Sequence, residues 1–103
     1  MQLNLNNDVK FKVNSFTESL DIRREDNNSE TIMNLTVNIS YADSLEDLVL
    51  TLKNLDTSAF TIEDVEGNGS RAYVNFELGS ANQTVNDFHK IETTLHFSKD
   101  YSE

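Results

Sequence analysis

The stretch that decides the fold lies near the middle of the chain and reads Thr31-Ile32-Met33-Asn34-Leu35-Thr36-Val37-Asn38-Ile39-Ser40-Tyr41. From Met33 onward, every odd position carries an apolar side chain and every even position a small polar one. Because successive side chains of a β-strand point to opposite faces of its sheet, this alternation predicts a long strand with one buried face. None of these residues is charged, so we expect the strand at the centre of a sheet.

The apolar period changes from that of a strand to that of a helix directly after this stretch. Apolar side chains now recur at i, i+3, i+4 and i+7, which is one face of an amphipathic helix: Leu45, Leu48, Val49 and Leu52. Asp43 and Ser44 are both good N-cap residues, and two acids follow in the first turn, where they suit the helix dipole. The pattern predicts one helix at about 44–54, packed on the sheet by its apolar face.

Weaker alternations predict further strands on both sides of this centre. Upstream, odd-numbered apolar residues indicate a strand pair within 3–13, and Leu20 with Ile22 indicates a second or third strand. The apolar-free stretch 24–30 is predicted to be a solvated hairpin loop. Downstream, the alternation predicts strands and turns in this order: a strand near 60–65, a tight turn at Asn68-Gly69, a strand at 72–78, a polar loop at 79–86 and a last strand at about 89–97.

Together these elements predict an α+β fold with the order β-β-β-α-β-β-β. Short connections favour mostly antiparallel pairing, and we expect a curled sheet or small open barrel with one packed helix. The 103 residues are the length of a single domain, so residues 1–103 are expected to fold as one unit. Only 37% of the residues are hydrophobic, but their strong patterning is what a modest core requires.

The chain is strongly acidic, with 18 Asp and Glu against 8 Lys and Arg and a net charge of −10. This balance disfavours direct nucleic-acid binding, whose affinity comes from cationic side chains. The acidity concentrates on the predicted helix and the strand after it, and seven acids form a candidate partner-binding face: Asp43, Glu46, Asp47, Asp56, Glu63, Asp64 and Glu66. Such a face either steers the chain toward a basic partner protein or is a solvated surface that maintains solubility.

The sequence contains no recognisable catalytic or metal-binding constellation. It has no Cys, no Gly-x-Ser-x-Gly elbow and no phosphate-binding loop. Its two histidines, His89 and His96, are seven residues apart, which on one strand would place them on opposite faces. We therefore expect no enzymatic activity, no cofactor and no metal site. No apolar run approaches the roughly 18 residues of a membrane helix, and the N-terminus lacks the features of a signal peptide, so no membrane partner is expected.

The central strand runs into Ser-Tyr-Ala-Asp-Ser-Leu-Glu-Asp-Leu at 40–48, and Ile-Glu-Asp-Val-Glu-Gly at 62–67 leads into the predicted hairpin. In length, composition and layout, the whole chain resembles the small, acidic, uncharacterised β-rich proteins carried by prophages of Gram-positive bacteria. Such proteins include minor tail or baseplate components and small antagonists of host defences, anti-CRISPR proteins among them. The lack of a signal peptide favours the cytosol, or a particle assembled there, and the resemblance makes this the cytoplasm of a bacterial host cell or a virion. The resemblance supplies no functional residue.

Two functions are compatible with these observations. The first is a non-catalytic protein–protein interaction module, encoded by a phage or prophage, that serves as a minor structural or assembly component. Its partners would be copies of itself or other particle proteins, bound through a sheet edge or face. The alternative is an acidic inhibitor whose carboxylates imitate nucleic-acid phosphates and occupy the basic groove of a host defence nuclease.

Overall fold

A computed structural model of the chain describes residues 1–5, 10–26, 28–53, 59–64 and 69–101. These residues form seven strands and one helix: β1 (Gln2–Asn4), β2 (Lys10–Glu25), β3 (Asn28–Ile39), α1 (Leu45–Lys53), β4 (Ala59–Asp64), β5 (Gly69–Val74), β6 (Glu77–Val85) and β7 (Ile91–Asp100). Every strand pair is antiparallel. The predicted α+β class, mostly antiparallel and with a single helix, is confirmed, but four strands follow the helix where three were predicted.

The strands form one sheet in the order β5-β4-β1-β2-β3-β7-β6. The long strand β2 joins its two halves, because its first residues pair with β1 and the rest pair with β3. A register shift between Val13 and Ser15 marks the change of partner, and such bulges bend a strand and increase its twist. The ring of Phe60 in β4 lies 4.7 Å, centroid to centroid, from that of Phe97 in β7, although three strands separate β4 from β7 in the sheet. The described strands do not close the sheet, since β5 and β6 are not paired with each other.

Strand β3 lies at the centre of the sheet, between β2 and β7, as the uncharged alternation predicted. Its odd-numbered residues Leu35, Val37 and Ile39 are fully buried, which confirms the predicted buried face. The strand begins and ends earlier than expected, at Asn28 and Ile39 instead of 31 and 41. Tyr41 therefore lies beyond the strand, with its ring edge-on to that of Phe11 at 6.0 Å.

The solvated loop predicted at 24–30 is wrong. Strand β2 continues to Glu25, and β3 already begins at Asn28, so the two strands are joined by a tight turn at Asp26, which has a positive φ of 39°. The prediction rested on the lack of apolar side chains. Where neither face of a hairpin is covered, two strands can pair through their backbones without apolar side chains.

The single strand predicted at 72–78 and the loop predicted at 79–86 are also wrong. Asn75 has a φ of 62°, and this left-handed residue ends β5 and reverses the buried face: Tyr73 is buried and Val74 is 51% exposed. The residues after it form β6, which pairs with β7 and whose polar side chains suit an edge position. The last strand begins at Ile91 instead of 89, because His89 occupies the turn before it with a φ of 59°.

Helix α1 covers Leu45–Lys53, close to the predicted 44–54, and Asn54 lies outside the described residues. The Ser44 hydroxyl accepts a hydrogen bond from the backbone N–H of Asp47 at 3.2 Å, so Ser44 is the N-cap of the two candidates, Asp43 and Ser44. Leu48 is fully buried, and α1 lies against β6. The side chains of Val49 and Leu52, predicted on the same face, lie outside the described part. The described helix is too short to cross a membrane.

The segment between β3 and α1 is anchored to the last two strands by hydrogen bonds. The hydroxyl of Thr93, which is fully buried, donates to the backbone carbonyl of Tyr41 at 2.7 Å. Gln83 in β6 donates to the Thr93 hydroxyl at 3.0 Å and to the backbone carbonyl of Asp43 at 2.7 Å. Buried polar groups need such partners, so this chain of bonds positions the start of the helix over the sheet.

Candidate functional site: the β2–β3 arm

The far ends of β2 and β3 form an arm, which comprises residues 19–25 of β2 and 28–34 of β3 and is two-stranded beyond Ile32. Strand β1 ends far from it, because its pairing with β2 covers only Lys10, Phe11 and Lys12. On the other side, β7 accompanies β3 as far as Ile32, which pairs with Asp100. The arm therefore extends beyond the covered part of the core, and every described residue of β2 from Ser19 onward is exposed.

The face of the arm that continues the core side of the sheet carries exposed apolar side chains. Leu20 and Ile22 are two residues apart on one strand, so they share a face, and they are 56% and 53% exposed. Leu20 is directly opposite Met33 in β3, and Tyr101 follows β7 nearby with half of its surface exposed. Neighbouring exposed apolar side chains are typical of interaction surfaces, whereas single ones are not.

A polar cluster closes the core at the base of the arm. The Tyr73 hydroxyl in β5 donates a hydrogen bond to the carboxylate of Glu18 in β2, and Arg71 Nη1 lies 3.0 Å from both carboxylate oxygens. These contacts tie β5 to β2, although β4 and β1 separate the two strands in the sheet. We call these three residues the Glu18 clamp. It holds the base of the arm against the rest of the core.

The clamp shifts the pKa of all three of its members, and the hydrogen bond to the Glu18 carboxylate raises that of Arg71. The hydrogen bond from Tyr73, with a smaller contribution from Arg71, lowers the pKa of Glu18 even though partial burial opposes the change. Burial, together with the hydrogen bond to the Glu18 carboxylate, raises the pKa of Tyr73 above its ordinary value. At neutral pH the clamp therefore consists of a carboxylate, a neutral phenol and a guanidinium, which is a charge-assisted arrangement.

A groove of about 510 Å³ lies between the clamp and the end of β7. Lys99 lies in it with its Nζ 4.8 Å from the ring centroid of Tyr101 and 5.9 Å from that of Phe76. A cation over aromatic faces is attracted by their quadrupoles. The groove therefore combines apolar walls with a positioned positive charge, directly beside the exposed face of the arm.

The outer edge of β2 along the arm offers unpaired backbone groups. Tyr101 donates its N–H to the carbonyl of Thr31, so the odd-numbered residues of β3 bond to β7 and the even-numbered ones bond to β2. The β2 partners of those even-numbered residues are Ser19, Asp21 and Arg23. By alternation, the N–H and C=O groups of 20, 22 and 24 point outward, where no described residue pairs with them.

The outer face of the sheet is a row of small polar groups that bond to one another. His96 lies between Thr36 and Asn82, with Nδ1 3.5 Å from the Thr36 hydroxyl and Nε2 2.9 Å from the Asn82 amide oxygen. Asn34 donates to the Asp21 carboxylate at 2.9 Å. In the part of the chain that the structure describes, no three His, Asp or Glu side chains group closely enough to hold a metal ion.

The seven acids predicted as a partner-binding face occupy different elements. Asp43, Glu46 and Asp47 are exposed around the first turn of α1, where the structure brings them together. Glu63 is exposed on β4 and Asp64 ends that strand, whereas the described part of α1 makes no contact with β4. Asp56 and Glu66 lie outside the described residues.

Sequence reasoning missed the clamp and the exposed arm. One signal was present: Glu18 stands in a row with Phe16, Leu20 and Ile22 on the same face of β2, and a carboxylate in an apolar row requires a partner. That partner is supplied by β5, more than fifty residues later in the chain.

Comparison of this chain with models of known protein families, with curated proteins and with solved structures gives no match.

Proposed function

We propose that this chain is a non-catalytic protein–protein interaction module that serves as a minor structural or assembly component of the phage-tail or baseplate type. One observation carries the proposal: the arm exposes Leu20 and Ile22 next to an unpaired strand edge. In this proposal the curled sheet is the support, the arm is the binding element, and the protein works in the bacterial cytoplasm or in a virion.

An unpaired edge and exposed apolar side chains together are the two requirements of recognition by strand addition. The backbone N–H and C=O groups of the edge provide hydrogen bonds, and side chains at alternate positions provide specificity. Exposed strand edges promote aggregation, so proteins usually shorten, charge or cover them. The exposed edge of β2 is long and covers residues 14–25. Its two apolar residues, at 20 and 22, have charged neighbours, and this combination favours binding of a specific partner over aggregation.

The Glu18 clamp supports the proposal because it fixes the base of the arm. Arg71 is bonded to both oxygens of the Glu18 carboxylate, and Tyr73 is buried against it. A binding element that is already ordered loses less conformational entropy on association than a flexible one. The clamp therefore lets the arm present its edge and its apolar face in one geometry.

The acidic inhibitor remains a second candidate, favoured by the exposed acids of the first turn of α1. Asp43, Glu46 and Asp47 place three carboxylates on one short segment, which suits attraction to a basic groove. The triple variant D43N/E46Q/D47N keeps the size of each side chain and removes the charge. If this candidate is correct, partner binding weakens in the variant and loses most of its dependence on salt; unchanged binding and unchanged salt dependence would exclude it.

The proposed function is tested by site-specific photo-crosslinking in the cells that naturally make the protein. A photoreactive amino acid replaces Ile22 on the arm in one variant and Lys90, in the exposed connection before β7, in a matched control. We expect a discrete crosslinked protein product from position 22 and none from position 90. The absence of a product at position 22, or the same products at both positions, would overturn the proposal.

A further inference from the structure

The free edge of β2 can pair with a second copy of itself only in certain registers. In an antiparallel pair, residues directly opposite each other lie on the same face of the sheet, and faces alternate along each strand. When two copies of one strand pair about a two-fold axis perpendicular to the sheet, the axis must therefore pass midway between the two copies of one residue, and we name each register by that residue. The three registers nearest the middle of the arm are those at Asp21, Ile22 and Arg23, and each gives a different set of opposing charges.

Of these three registers, only the one at Ile22 pairs opposite charges at the closest side-chain contacts. It places Asp21 of each copy opposite Arg23 of the other, twice in one interface. These residues bond to β3 and not across the new edge, so they form the pairs without mutual hydrogen bonds, in which side chains approach most closely. The register at Asp21 sets two aspartates face to face, and the register at Arg23 sets two arginines face to face. Like charges directly opposite each other destabilise a strand pair.

The same register also uses the outward backbone groups and covers the apolar pair. Ile22 meets Ile22 of the second copy in a pair that exchanges two backbone hydrogen bonds, and Leu20 lies diagonal to it on the same face. Arg24 of the second copy is directly opposite Leu20, where its aliphatic part can cover the exposed leucine. Glu18 falls opposite Asp26 of the second copy, and its charge is already compensated by Arg71.

We propose that the partner of the β2 edge is a second copy of this chain, paired antiparallel about a two-fold axis in the Ile22 register with reciprocal Asp21–Arg23 ion pairs. The inference rests on the proposed function, and it specifies the partner of the arm. Pairing would join β6-β7-β3-β2 of one copy to the same strands of the other in one continuous sheet. It would also cover the long exposed edge of β2. Because the two-fold symmetry is closed, the assembly would stop at two copies.

The test is a charge-swap series measured by light scattering after size exclusion, over a range of protein concentrations. The wild-type protein is expected at twice the monomer mass of 11.7 kDa. R23D alone places like charges opposite each other twice, so the dissociation constant of the dimer should rise about tenfold or more. The swap D21R/R23D restores both ion pairs and should restore the dimer. K90D changes the net charge as R23D does, but away from the arm, and should leave the mass unchanged.

The outcomes separate this inference from the proposed function. Rescue of the dimer by D21R/R23D, together with partial rescue of R23D in about 0.5 M salt, supports the Ile22 register. A wild-type monomer at all concentrations, or a double variant no better than R23D, overturns the inference. If position 22 then still crosslinks to a different protein, the proposed function stands without self-pairing. Unchanged circular dichroism of each variant shows that the fold is retained, so a lost dimer is not a lost fold.

Discussion

The Glu18 clamp provides the sharpest test of how this small fold is held together. Tyr73→Phe removes only the hydroxyl that donates to Glu18, and the ring can keep its stacking on Phe60, 5.2 Å away between centroids. Hydrogen bonds to charged groups contribute roughly 1.5–3 kcal/mol. The Glu18 side chain is 22% exposed and keeps its two contacts with Arg71. We therefore expect the lower end of that range, a loss of about 1.5 kcal/mol in the free energy of unfolding.

The same variant should alter the dependence of stability on pH. The pKa of Glu18 is lowered in the folded state, and the Tyr73 hydrogen bond is the largest cause. Stability from a lowered carboxyl pKa is present above the unfolded pKa of about 4.3 and is lost as pH falls through the folded pKa. The difference between wild type and Tyr73→Phe should therefore be largest near neutral pH and shrink in acid. Repulsion among the other acids also changes with pH, but its contribution to stability is the same in both proteins. It therefore cancels when the two proteins are compared at the same pH.

Thermal and urea unfolding, followed by circular dichroism at about pH 7 and about pH 3, measure both effects. A loss of about 1.5 kcal/mol corresponds to a melting temperature about 6–12 °C lower for a domain of this size. Tyr101→Phe is the matched control, since it removes the same atom from a half-exposed tyrosine outside the clamp. Equal stability of Tyr73→Phe and wild type at neutral pH would refute the reasoning. A difference that does not change with pH would show that the hydroxyl does not act through the Glu18 carboxylate.

Variants at three further sites test the fold and the arm. Leu48→Ala empties a fully buried position and should lower the free energy of unfolding by about 2–5 kcal/mol; a loss below about 1 kcal/mol in urea unfolding would show that α1 is not packed as described. Asn75→Ala should cost about 1 kcal/mol because of the positive φ, whereas Asn75→Gly should be neutral; equal melting temperatures for Ala and Gly would contradict this. The double variant L20S/I22S should change the stability of the single, unassociated chain by at most about 0.5 kcal/mol, since both side chains are already half exposed, and should abolish association through the arm. A large loss of stability would instead show that both residues belong to the core.

The elements that could be predicted are those whose signal is local. In β3, alternation of apolar and polar residues directly encodes one buried and one polar face, and Leu35, Val37 and Ile39 are buried accordingly. For α1, the N-cap at Ser44 and the helical apolar period lie within one short stretch. Both signals depend only on the geometry of a single strand or a single helix, so they need no information about distant residues.

The elements that could not be predicted depend on distant partners. Strand β6 carries mostly polar side chains because it lies at an edge, so its pairing with β7 leaves no apolar period to detect. The break at Asn75 is one backbone angle, and Asn is compatible with either the strand or the left-handed conformation. Alternation carried through this residue therefore predicted one strand at 72–78, whereas the structure buries Tyr73 and exposes Val74.

The sequence by itself determined the class of the fold, the central strand, the helix and the acidic character of the surface. Tertiary structure alone decided the candidate site, and Leu20 shows the physical reason. Leu20 and Leu35 follow the same alternation on neighbouring strands, but Leu35 is fully buried and Leu20 is 56% exposed. Burial depends on which elements pack over a residue. Leu35 is paired with Glu18, which β5 contacts, whereas Leu20 lies two residues further along β2. The boundary between the core and the candidate site is therefore set by contacts between distant strands, which no local pattern records.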